Sequence, residues 1–123
     1  MSAFKPHLEE LCDRSHDVMV TCVMGTDGLA VETVNRVEAD DSLDADALFV
    51  EFSSILGQIQ KRSYDLAMDQ VEEMSMQSQS FTCLVRLINQ EYFVAAAVRA
   101  QGNVGKARYL LRILAPKMIE ELA

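Results

Sequence analysis

Cys12 and His16 stand four residues apart in a segment of helical periodicity. That spacing would set a thiol and an imidazole on one helix face, the start of a nucleophilic or metal-binding pair. Zinc needs further ligands, and none is offered nearby, since His7 and His16 are the only histidines. A surface or packing role is the simpler reading. A second constellation is acidic. With Asp40 as the first position, Ser42, Asp44, Asp46 and Glu51 fall where a calcium loop places its oxygen ligands. Its sixth position holds Ala45 in place of the glycine that such a loop requires, and a solvated acidic loop capping a helix explains the same residues. Gly25 and Gly28 hint at a phosphate loop, but no Gly-Lys-Ser/Thr follows, and no Gly-x-Ser-x-Gly elbow exists elsewhere. The expectation is a protein with no catalytic residue, no metal and no cofactor.

Composition bounds what those residues can belong to. A chain of 123 residues that is 50% hydrophobic reads as a single domain over 1–123 with an ordinary core. The three cysteines, Cys12, Cys22 and Cys83, are odd in number and lie in apolar patterns, so reduced buried thiols are expected. No signal-peptide core and no membrane-length apolar run is seen, which points to the cytoplasm. The net charge of −8 and the scattered basic residues argue against nucleic acid as a partner.

The positioning elements follow from periodicity. Phe4, Leu8, Leu11 and Cys12 mark a short amphipathic helix ending near Asp17. Val18 to Met24 is a nearly continuous apolar strand and Leu29 to Val37 a more polar one, joined by a tight Asp-Gly hairpin. Glu38 to Asp46 carries five acids and no base. A long helix is expected over Ala45 to Met68, on the stripe Leu48, Phe52, Ile55, Ile59 and Leu66. Gln70 to Ser80 reads as a polar edge strand with Met74, Met76 and Ser78 on one face. Phe81 to Ile88 and Tyr92 to Arg99 read as the apolar centre of the sheet. The last helix carries Pro116, where the lost N–H predicts a kink or break. The fold class is α/β in the α+β sandwich sense: a five-stranded antiparallel sheet with packed helices, in the order α-β-β-α-β-β-β-α. Met74 and Met76, apolar on a polar edge strand, suit an interface. Gln58, Lys61 and Arg62 form a polar side of the second helix, and Arg108 and Arg112 lie one turn apart on the third.

Two stretches carry a family resemblance: Gly25-Thr26-Asp27-Gly28-Leu29-Ala30-Val31, and the run from Gln101 to Leu111 that opens the last helix. In the second, Asn103 is a good N-cap, and Gly105 suits a close approach of the helix start to the sheet. Together they resemble the Roadblock/dynein-light-chain family, including its bacterial members that partner small Ras-like GTPases. The resemblance implies a non-enzymatic homodimer, with second helices side by side and third strands joined edge to edge. Carried onto this chain, the dimer interface is Ile55, Ile59, Val71, Met74, Met76 and Ser78. The paired helices would then present Gln58, Lys61, Arg62 and Asp65 to a partner. That partner is another Roadblock protein, a Ras-like GTPase or a polarity adaptor, with no nucleic acid and no membrane insertion. The implied role is an adaptor or regulator in bacterial cell polarity or gliding motility, concentrated at the cell poles if it follows that system. Direct GTPase activation is the second implied role, and a structural subunit of a motor or envelope assembly a remoter third.

Overall fold

A computed structural model describes residues 3–37, 43–63, 65–67 and 69–122. The elements, in chain order, are α1 (Lys5–Arg14), β1 (Val18–Gly25), β2 (Ala30–Asn35), α2 (Ala45–Arg62), β3 (Glu73–Gln77), β4 (Phe81–Leu87), β5 (Tyr92–Arg99) and α3 (Val104–Ile119). A 3-10 turn, Glu120–Leu122, follows. All strand pairs are antiparallel, and the sheet order is β2-β1-β5-β4-β3. The expected element order and fold class therefore stand. β5 is the middle strand, with β4 beside it as expected and β1 on its other side. β1 is buried along its whole length, as its nearly continuous apolar run allows when helices cover both faces, with the one polar side chain, Thr21, donating to the Ala95 carbonyl at 2.7 Å.

The two faces are covered unequally. Leu8, Leu11, Leu110, Leu111, Leu114 and Met118 of α1 and α3 pack on Val23, Leu84, Val94 and Val98. On the other face only α2 lies down, placing Phe49, Phe52 and Leu56 on Cys22, Phe93, Ala95 and Val85. The alanine run of β5, Ala95, Ala96 and Ala97, is buried on alternating faces, and its small side chains let the helices come close.

Several boundaries differ from the sequence expectation. α1 ends at Arg14, where Ser15 turns extended. α2 ends at Arg62: the Ser63 hydroxyl donates to the Gln60 carbonyl at 2.9 Å, and Leu66 beyond it is exposed, with no sheet to cover. Met68 lies outside the described residues. β3 is shorter than Gln70 to Ser80, because Ser78 is spent on the turn: its N–H donates to the Phe81 carbonyl at 2.8 Å. α3 continues through Pro116 without a break, since proline removes only one bond near the helix end. A bulge between Val23 and Met24 shifts the β1–β2 register and leaves Val31 exposed.

The turn chemistry of the first hairpin is as expected. Gly28 takes φ of 88°, and the Asp27 carboxylate accepts from the Leu29 N–H at 3.0 Å. Asn103 caps α3, accepting from the Lys106 N–H at 3.0 Å. Gly105 is different: an added Cβ would meet only the Asn103 side chain at 3.6 Å, so the close approach to the sheet is absent there. The crowded glycine is Gly102, where a Cβ would collide with Asp17 Cβ. Asp17 is the reason. Its carboxylate accepts from the Asn103 N–H and its carbonyl from the Arg99 N–H, each at 2.9 Å, tying the entry of β1 to the start of α3.

Two expected outcomes follow from this packing. Gly102→Ala should destabilise the fold by about 1–3 kcal/mol, because the clash falls on the root of Asp17 and not on a mobile tip; chemical denaturation measures it, and an unchanged midpoint would contradict the crowding. Burial raises the Cys12 thiol to about 11 and the Cys83 thiol to about 12, from an ordinary 9.0. A raised folded pKa is a contribution fully present below pH 9 and lost as pH climbs through 11 to 12. Native protein at pH 8 should therefore react with Ellman's reagent far more slowly than unfolded protein, and thermal stability should fall above pH 9.

Candidate interaction surface

The chemical candidates separate in space. Cys12 is buried while His16 lies past the end of α1 and is exposed, so the two share no helix face. His7 Nε2 instead approaches Glu121 Oε1 at 3.5 Å. Asp44 is the N-cap of α2, accepting from the Ala47 N–H at 3.2 Å, and the helix runs on unbroken past Glu51. Asp40 and Ser42, the first two positions of the calcium-loop spacing, lie outside the described residues. Among the described residues no cluster of three or more histidine, cysteine or acidic side chains converges as a metal would need.

What the structure does bring together is an apolar margin on the α2 side of the sheet. α2 makes its close backbone approach to β1. Its Val50 and Ser53 edge lies against Gly28 of the first hairpin. Ile55 and Ile59 sit on the opposite edge of the helix, turned away from that hairpin. Ile55 is 42% exposed and Ile59 half-buried. Beyond them lies β3, paired among the described residues with β4 alone. Its register sets Met74 opposite Val85 and Met76 opposite Cys83, which puts both methionines on the α2 side. Met74 and Val71 are half-buried against that core, whereas Met76 is 38% exposed. Ser78 does not share the strand, because its hydroxyl is held in the turn with Phe81.

The far face of β3 is fixed differently. Glu73 faces α3 and lies 3.4 Å from Arg108 and 4.0 Å from Arg86, so the edge strand is anchored by charge on one side and apolar on the other. Gln58, Lys61, Arg62 and Asp65 are all exposed. Arg62 Nε is 3.9 Å from Asp65, an open surface pair of little energetic weight. Gln60 turns inward and donates to the Gln90 carbonyl at 3.3 Å. There a cleft of about 430 Å³ opens between the end of α2 and the β4–β5 turn, lined by Ser63, Val71, Arg86 and Asn89 among others. Sequence periodicity had no signal for this cleft, since its walls come from three separate segments. It also missed two exposed apolar sites, Leu29 at the first hairpin and Tyr109 on α3, whose neighbours in sequence give no hint of which side faces water.

No family model matches the chain, and neither does any curated protein sequence. Solved structures do. MglC from Myxococcus xanthus is 35% identical, over 96% of this chain and 98% of that one, with a TM-score of 0.66. The gliding protein MglB from Thermus thermophilus is 12% identical, over 94% and 85%, with a TM-score of 0.81. A Roadblock/LC7 domain from Streptomyces avermitilis is 14% identical, over 94% of each chain, at 0.78. The last two show the fold alone, and the identity to MglC carries the kinship. No helix among the described residues is long and apolar enough to cross a membrane. Fold, element order and 35% identity to MglC over nearly the whole of both chains thus lead to one conclusion: the chain belongs to the Roadblock/LC7 (dynein light chain) family, on its MglB/MglC branch.

Proposed function

We propose that this protein is a non-enzymatic homodimeric adaptor in a small Ras-like GTPase system of bacterial polarity or gliding motility. It pairs through the apolar margin of α2 and β3 and offers the outer side of paired α2 helices to another Roadblock protein or a polarity adaptor. The observation that carries this reading is that the α2 side of the sheet leaves apolar groups partly open at two places, Ile55 and Ile59 on α2 and Met74 and Met76 on β3, an edge strand paired among the described residues with β4 alone. A single helix leaves that side half covered, and an unpaired edge otherwise invites uncontrolled association. A second copy brought edge to edge satisfies both needs at once. Ile55, Ile59, Val71, Met74 and Met76 would then face the partner copy. Ser78 would contribute through its turn.

In that pairing Gln58, Lys61, Arg62 and Asp65 repeat across a two-fold axis. One asymmetric partner can bridge both copies, or two Roadblock dimers can stack. The identity to MglC supports placing the chain with gliding-motility proteins. An adaptor needs no catalytic group, in keeping with the dispersed Cys12, His16 and acidic residues. Placement in the cytoplasm, with enrichment at the poles, follows from the same role.

The pairing is tested by light scattering. A dimer mass is expected at micromolar concentration, and Met76→Glu should weaken it at least tenfold, because the charge would enter an apolar contact. A wild-type monomer would refute the proposal. The outer face is tested by affinity capture from native lysate with Lys61→Glu and Arg62→Glu combined. Loss of capture is expected at unchanged dimer mass and melting temperature, since exposed charges add little stability yet decide recognition. Faster GTP turnover by a cognate GTPase on adding the protein would instead support direct activation.

A further inference from the structure

α3 carries a charge pattern that the pairing face does not explain. Four of the eleven basic residues, Lys106, Arg108, Arg112 and Lys117, lie within Val104–Ile119, and no acidic residue accompanies them. Arg108 is engaged with Glu73. Lys106, Arg112 and Lys117 are exposed, and none of them enters an ion pair among the described residues. A chain with a net charge of −8 has carboxylates to spare, so three unmatched cations on one helix are a local reversal of sign.

The same outer surface is apolar along its middle. Tyr109 is 55% and Ile119 49% exposed, and exposed Pro116 lies between them. At 1.5 Å per residue the strip from Tyr109 to Ile119 runs about 15 Å. At 100° per residue, Arg112 falls within the arc that runs from Tyr109 through Pro116 to Ile119, and Lys106 and Lys117 lie together to one side of it. A docking partner must therefore combine apolar side chains with carboxylates.

We propose that the outer face of α3 is a docking site for an acidic amphipathic peptide segment of a partner protein. An anionic membrane would satisfy the cations too, but it is broad and flat. It would press equally on Glu120 and Glu121 at the end of α3 and on Glu9, Glu10 and Asp13 of the neighbouring α1. A narrow segment running along α3 avoids them. The site lies on the sheet face opposite α2, so it is open whether the chain is single or paired.

Fluorescence anisotropy with a labelled peptide of repeated Glu-Leu-Glu-Phe units tests this on the full chain. Micromolar binding is expected, weakening at least tenfold between about 50 and 300 mM salt as the charges are screened. Arg112→Glu combined with Lys117→Glu should weaken binding at least tenfold, and Tyr109→Ala severalfold, with melting temperatures unchanged. Lys61→Glu with Arg62→Glu should leave it intact, which separates this face from the proposed outer side of α2. Absence of binding, or binding unaffected by the α3 variants, would overturn the proposal. So would equal binding of a poly-glutamate peptide, which shows charge alone. Phosphatidylserine vesicles that sediment the protein through Arg112 while the peptide fails would assign the face to membrane. Mass growth with concentration that Arg112→Glu abolishes would assign it to a second copy; either result replaces the peptide.

Discussion

A five-stranded sheet with apolar residues on both faces has to be roofed twice, and this chain has three helices with which to do it. Strands spaced about 4.8 Å apart make a floor roughly 20 Å wide, whereas one helix with its side chains spans only about 10 Å. α1 and α3 together close one face, which is why their leucines are among the most deeply buried groups. α2 alone serves the other. It lies over the β1 side, packing Phe49 and Leu56 down, and cannot also reach the β3 margin. Ile55 and Met76 are left in water by this arithmetic of width, not by any local anomaly in the sequence.

The same asymmetry sets what each surface can do. The closed face needs firm corners, and it has them: Asp17 bonds to both β5 and the start of α3 while Gly102 lets the chain pass within contact of its root. Glu73 adds a charged tie from β3 to α3. These contacts tie the start and the inner side of α3 to β1 and β3. The other face has a single helix over it, and Ile55 and Met76 stay exposed there.

Enzyme-like fragments in the sequence dissolve for geometric reasons. Cys12 and His16 match a helical spacing, but the helix stops at Arg14 and the histidine swings into solvent. Asp44 and Glu51 match a calcium spacing, yet Asp44 is engaged with the backbone of the helix that Glu51 belongs to. Spacing along a chain becomes a site only if the elements keep the residues on one side.

Element types, their order and the antiparallel pairing of hairpins were set by the sequence alone, because turns such as Asp27-Gly28 and caps such as Asn103 act within a few residues. The nearly continuous apolar run Val18 to Met24 likewise marked a strand, and the structure buries it along its whole length. Tertiary structure decided the rest. That β1 lies beside β5 depends on contacts some seventy residues apart, as in the Thr21 hydroxyl bonding to the Ala95 carbonyl. That Gly102 rather than Gly105 is the crowded glycine depends on Asp17, which comes from the far end of the chain, and that Met74 is half-buried while Met76 stands out depends on where the sheet ends. An apolar side chain carries its tendency to be buried wherever it goes, but whether anything is there to bury it is settled only when the distant parts of the chain have met.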